Sequence, residues 1–227
     1  MTSDELYDLF RKDVVDTVEP YLWSDSEVYA YMNDAYTMFV RLTGGIPDFL
    51  TDDVCLLTAA SGEPYSSLHP SILYVRQASL DSTGDTVRII NAQDIERLND
   101  EDFGMLRRLN QNTTIGKVKY MVIGIQQDLV RWVNVPDDIY EIRLLVERLP
   151  LVPITGAGQE LADVKAHHHI HLLKWMRHLA YNKQDAETFN KLKSDAEKAE
   201  FEAYCYLAKR EKDKQKHKVR VVAYGGI

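Results

Sequence analysis

The residues best equipped for chemistry are the imidazoles of His167-His168-His169-Ile170-His171. On a helix His167 and His171 stand one turn apart and could share a metal ion, because neutral imidazole is a common zinc ligand. A catalytic zinc helix of the H-E-x-x-H kind carries its general base beside the ligands. This run has no such base, and its spacing assigns no third ligand, so the imidazoles also fit a half-exposed helix start that hydrogen-bonds locally. The thiols Cys55 and Cys205 are too few and too far apart for a disulfide framework, and each fits a small buried filler. The carboxylate clusters Asp52-Asp53, Asp100-Glu101-Asp102 and Asp137-Asp138 fall in turns, where solvation accounts for them. No G-x-x-x-x-G-K-[ST] phosphate loop, no G-x-G-x-x-G after a strand and no G-x-S-x-G elbow occurs. Gly156-Ala157-Gly158 lacks the third glycine and reads as a flexible hinge. No catalytic residue and no cofactor is expected.

The elements that would hold these residues are legible in the periodicity. Thr2 with Glu5 is a capping box, and Ser24-Asp25-Ser26-Glu27 is a second helix start. Behind the first, Leu6, Leu9, Phe10, Val14 and Val18 form an apolar stripe. Behind the second, Val28, Met32, Ala35 and Phe39 repeat at helical spacing until Gly44-Gly45. Together they predict a helical hairpin. From residue 54 the pattern turns to β-branched and aromatic runs: 54–60, 72–80, 86–90, 117–125, 129–135 and 140–148. Turns as brief as Gln126-Gln127-Asp128 and Pro136-Asp137-Asp138 predict antiparallel neighbours. Residues 92–98 have helical spacing. Two helices then follow, the first presenting Ile170, Leu173, Met176, Leu179 and Ala180, the second Phe189, Leu192, Ala196, Ala199, Ala203 and Leu207, with a bend at 181–185.

The expected fold is α+β: a helical bundle from N- and C-terminal helices with a small antiparallel β unit inserted between them. The expected division is residues 1–50, a helical hairpin belonging to the bundle; 51–155, the β domain; 156–214, the C-terminal helices; and 215–227, an extended tail. In that tail Lys218, Val219, Arg220, Val221, Val222 and Tyr224 are basic, then β-prone and apolar. They fit an edge that docks on a partner, and equally an unstructured end.

A formal charge of −8 over 227 residues disfavours general nucleic-acid binding, which needs a basic face. With 45% hydrophobic residues the chain can bury a substantial core. The acidic MTSDELYDLF start carries no secretory pattern, and no apolar run approaches the ~20 residues of a membrane helix. The expectation is a protein made in the cytoplasm, with no membrane partner.

Three stretches resemble one family. LWSDSEVYAYMNDAY, LVRWVNVPDDIYEIRLLVERLPLVPI and HHHIHLLKWMRHLAYNKQDAETF are similar to segments of tailed-bacteriophage head–tail adaptor proteins, also called neck connector or head completion proteins. The resemblance implies a non-enzymatic virion protein of the neck. Such a protein forms a homo-oligomeric ring, usually of twelve copies, under the portal protein. The ring receives downstream tail or neck proteins, and genomic DNA passes through its lumen without specific binding. An acidic lumen suits that passage, since carboxylates prevent the counterion-releasing contacts that hold DNA. Two further readings of the residues are a metal-dependent enzyme using His167 and His171, and a DNA-associated adaptor.

Overall fold

The first two helices start where a side chain takes up free backbone N–H groups of the first turn. The computed structural model describes residues 1–93, 114–184 and 188–215. Helix α1 (Ser3–Asp13) opens on the Thr2/Glu5 capping box and α2 (Asp25–Leu42) on the Ser24/Glu27 box. Three more helices, α3 (Asp52–Cys55), α4 (Ala166–Tyr181) and α5 (Lys191–Gln215), and ten strands complete the described elements. The chain divides into two compact units, Met1–Gly44 with Pro150–Ile227, and Gly45–Leu149. The expected helical reading of 92–98 lies mostly outside the described residues, as do Asp100-Glu101-Asp102 and the tail from 216 on.

In the first unit, α4 packs against α1, α2 and α5, and α5 also reaches α2. Helix α1 stops at Asp13, a turn before the apolar stripe predicts. The cause is a buried ion pair between Arg11 and Asp16. To seat its carboxylate there the chain leaves the helix, with Val15 at φ 59°, and Asp16 accepts the backbone N–H groups of Leu22 (2.9 Å) and Trp23 (3.3 Å). Val18 is consequently 76% exposed, and Trp23 packs edge-on to Phe10.

The predicted face of α5 is also corrected. Its buried residues are Ser194, Phe201, Cys205 and Ala208, whereas Leu192 is 85% and Leu207 54% exposed. In α4, His169, Leu172, Leu173, Trp175 and Met176 are buried, while Ile170 is 46% exposed. Glycines 156 and 158 sit in a turn pinned by Gln159, whose Oε1 accepts from Thr155 (2.7 Å) and Gly156 (3.0 Å).

The second unit is a large sheet, not a small one. Its strands are β1 (Ile46–Asp48), β2 (Leu56–Ala59), β3 (Tyr65–Ser67), β4 (Ile72–Leu80), β5 (Thr86–Asn91), β7 (Tyr120–Gln126), β8 (Leu129–Trp132) and β10 (Tyr140–Arg148). Their order is β1-β10-β4-β5-β7-β8-β3, with β2 also on β10. A separate pair joins β6 (Ile115–Gly116) to β9 (Val135–Pro136). The predicted hairpins β4–β5 and β7–β8 are present. Two pairings depart from the wholly antiparallel expectation. Strands β5 and β7 run parallel, Arg88 opposite Tyr120, and so do β6 and β9. The stretch between Asn91 and Tyr120 is long enough for the crossover that a parallel pair demands.

Nor does β10 fold back on β8. It lies between β4 on one side and β1 and β2 on the other, because Ile142, Leu144 and Val146 are fully buried and both its edges need partners. Edge strands β1 and β3 are three residues each, short enough to offer little template for stray pairing.

Candidate functional site

Helix α4 carries the histidines, and the structure gives each a packing partner. The Nε2 of buried His169 lies 2.7 Å from the Val164 carbonyl, which only an N–H can satisfy, so Nδ1 is the acceptor 3.2 Å from the Met1 ammonium. The N-terminus is thereby tied to α4. The other rings meet Tyr204 of α5. The His168 Nδ1 is 2.8 Å from the Tyr204 hydroxyl, and the His171 ring stacks on the Tyr204 ring at 3.4 Å and 18°. Phe39 of α2 closes the group, 5.0 Å from the His168 ring, and His167 lies beside His168 at 4.0 Å.

Burial pushes the His168 pKa down to about 4, assisted by the charge His167 would carry, and burial also lowers that of His171. At neutral pH His168 is therefore an uncharged ring hydrogen-bonded to the Tyr204 hydroxyl. Among the described residues, no group of three or more His, Cys, Asp or Glu side chains converges as metal ligands would. The helical spacing of His167 and His171 is real, and the space beside His171 belongs to Tyr204.

Two further contacts hold α4 and α5 together, and neither is visible in local spacing. Buried His178 places Nδ1 3.0 Å from the Ser194 carbonyl, while the Ser194 hydroxyl donates back to the His178 carbonyl at 3.0 Å. Arg177 grips Glu197 with two guanidinium nitrogens (2.9 and 2.8 Å) and reaches Asp13 of α1 at 2.5 Å. Bidentate geometry of this kind fixes orientation as well as distance. The partners lie between 16 and 164 residues apart along the chain, so periodicity could not bring them to notice.

Both thiols are buried, and Asp52, Asp137 and Asp138 bond to neighbouring groups. Burial raises the Cys55 thiol to about 11 and the Cys205 thiol to about 12, far from the thiolate a nucleophile requires. Asp52 pairs with Arg143 of β10 at 2.5 Å, and Arg143 also holds Asp81 at 2.9 Å. Asp137 accepts from the Tyr140 hydroxyl, and Asp138 from the backbone of Ile139. Lys218, Val219, Arg220, Val221, Val222 and Tyr224 lie outside the described residues.

In both units the long-range polar contacts, such as Arg177 with Glu197 and Asp13 and Arg143 with Asp52 and Asp81, join one element to another. The family model described as SU10 adaptor protein matches residues 1–221, and the chain belongs to that family of phage head–tail adaptors. No curated protein matches the chain. No helix among the described residues is long and apolar enough to cross a membrane.

Proposed function

We propose that the chain is a non-enzymatic component of the phage virion neck. Copies form a ring under the portal protein, a downstream tail or neck protein attaches to that ring, and genomic DNA passes through it. The observation that carries this reading is the family match over residues 1–221. The packing of the histidines supports it, since His168, His169 and His171 are engaged by Tyr204, Val164 and the N-terminus. In this reading Met1–Gly44 and the helices from residue 150 on form one helical bundle, Gly45–Leu149 the β domain, and 215–227 the docking tail. Twelve copies make the ring. An acidic chain, −8 overall, leaves the DNA free to slide.

The isolated protein is largely monomeric in this scheme and assembles on the portal, where Lys218, Val219, Arg220, Val221, Val222 and Tyr224 add an extended edge to the partner. Deleting residues 218–227 is expected to abolish portal binding in a pull-down with purified portal and to leave the circular dichroism spectrum unchanged. Full binding by the truncated chain would remove the tail from this role.

A further inference from the structure

Helix α5 has two apolar faces, and only one is used among the described residues. Ser194, Phe201, Cys205 and Ala208 are buried. On the opposite side Leu192 is 85%, Tyr206 62% and Leu207 54% exposed, with Ala196, Ala199 and Ala203 exposed between them. From Leu192 to buried Phe201 is about two and a half turns, so the row points away from the packed face. Positions 192, 196, 199, 203, 206 and 210 alternate steps of four and three, the spacing of a heptad seam. Arg210 continues that seam, its guanidinium 5.8 Å from the Tyr206 ring.

A heptad seam is matched by another heptad seam, and among the described helices only α5 exposes one. Every exposed residue of α1 is charged, Ala30 is the one apolar residue that α2 exposes, and α4 exposes Ala166 and Ile170 at its start alone. Helix α3 is too short to offer a seam. The occupant that fits is therefore α5 of a second copy, and size and charge set its direction. Laid antiparallel with Ala199 opposite Ala203, each Tyr206 ring rests on the small Ala196 of the other helix, and each Leu192 meets the aliphatic stem of Arg210. Exposed Asp195 then stands opposite exposed Lys209, twice by symmetry. Glu200 and Glu202 approach their own mates, and each has a lysine within its chain, Lys174 and Lys198 respectively. A parallel pair would set Asp195 beside Glu200, Lys209 beside Lys214 and Arg210 against Arg210, all like charges.

We propose that the outer face of α5 pairs with the same face of a second copy, antiparallel about a twofold axis that sets Ala199 opposite Ala203. Such a contact is isologous, so it joins two copies and closes no ring. It goes beyond the ring reading and does not rest on it. One helix face buries little area, so the pair forms at high concentration and the dilute chain stays monomeric.

The test uses the full chain, one preparation carrying Ala199→Cys and another Ala203→Cys, mixed at high concentration under mild oxidation. The native thiols Cys55 and Cys205 are buried and stay out of the reaction. Disulfide dimers are expected in the mixture, with peptide mapping placing the bond between positions 199 and 203. Either variant alone is expected to give few, because its two new thiols lie a turn apart along the seam, outside disulfide reach. Lys209→Asp in both preparations is expected to cut the mixed yield by about fivefold, the scale of exposed ion pairs. Adding Asp195→Lys is expected to restore it. No dimers in the mixture, equal dimers from one variant alone, or a yield indifferent to the charge changes overturns the proposal. So do dimers that form only after residues 216–227 are removed, which would put the chain's own tail on the seam.

Discussion

Asp16 shows how much one buried charge can dictate. Its carboxylate meets Arg11 and two backbone N–H groups, and the end of α1, the left-handed Val15 and the seating of Trp23 all follow. Removing Asp16 leaves Arg11 only the exposed Asp25 as counter-charge and takes the acceptor from two backbone N–H groups, so Asp16→Ala is expected to lower stability by about 3 kcal/mol, read from urea unfolding. An effect under about 1 kcal/mol would show Arg11 to be solvated. Titratable groups make a second residue-scale prediction. His168, at about 4 in the folded chain against roughly 6.5 when unfolded, leaves the unfolded chain holding the extra proton between those values. Stability from this site is thus complete above about pH 6.5 and lost as pH falls toward 4. Melting temperature should decline across that window, and His168→Phe should flatten the decline. Asp48 acts lower down. Burial raises its pKa, but the Arg148 guanidinium, the Thr51 hydroxyl and two backbone N–H groups outweigh that and hold it well below the usual carboxylate range. Its contribution is therefore full above about pH 4 and disappears on further acidification, a loss that Asp48→Asn should abolish.

At the scale of elements, the two faces of α5 are the instructive case. The sequence offers two sets of apolar residues on this helix, and composition favours Leu192, the alanines and Leu207. The structure buries Phe201 and Cys205, because the Trp175 ring packs tilted against Phe201 at 5.1 Å while His178 and Arg177 secure Ser194 and Glu197. Phe201→Ala is accordingly expected to cost about 3–5 kcal/mol, and Leu192→Ala to stay within about 0.5 kcal/mol. Comparable losses from both would mean that the helix is phased otherwise. In the β unit, Gly45 has φ 83°, and an added Cβ would lie 2.8 Å from the Glu147 Cβ. Gly45→Ala should destabilise by at least ~1–2 kcal/mol from the left-handed backbone alone, with thermal unfolding as the measure.

For the whole molecule, kinship reaches further than local chemistry. The stretches LWSDSEVYAYMNDAY and LVRWVNVPDDIYEIRLLVERLPLVPI resemble head–tail adaptors as packing patterns, and the family match runs across residues 1–221. A consequence for the assembled particle is that the isolated chain should shift no DNA in a gel even at low salt, since its net charge supplies no counterion-releasing surface. Retardation at low salt would instead favour a DNA-associated adaptor.

By itself the sequence determined what depends on neighbours a few residues apart. Both capping boxes, the hairpins β4–β5 and β7–β8, and the bounds of β4 and β10 rest on hydrogen bonds and alternation within one short stretch. Tertiary structure decided whatever needed partners from afar: the parallel pairing of β5 with β7, the place of β10 inside the sheet, the early end of α1 and the buried face of α5. It also decided the state of the histidines. A helical repeat can bring His167 and His171 to one side, but only the packing of α5 puts Tyr204 there in place of a third ligand. Burial, not spacing, then keeps His168 uncharged.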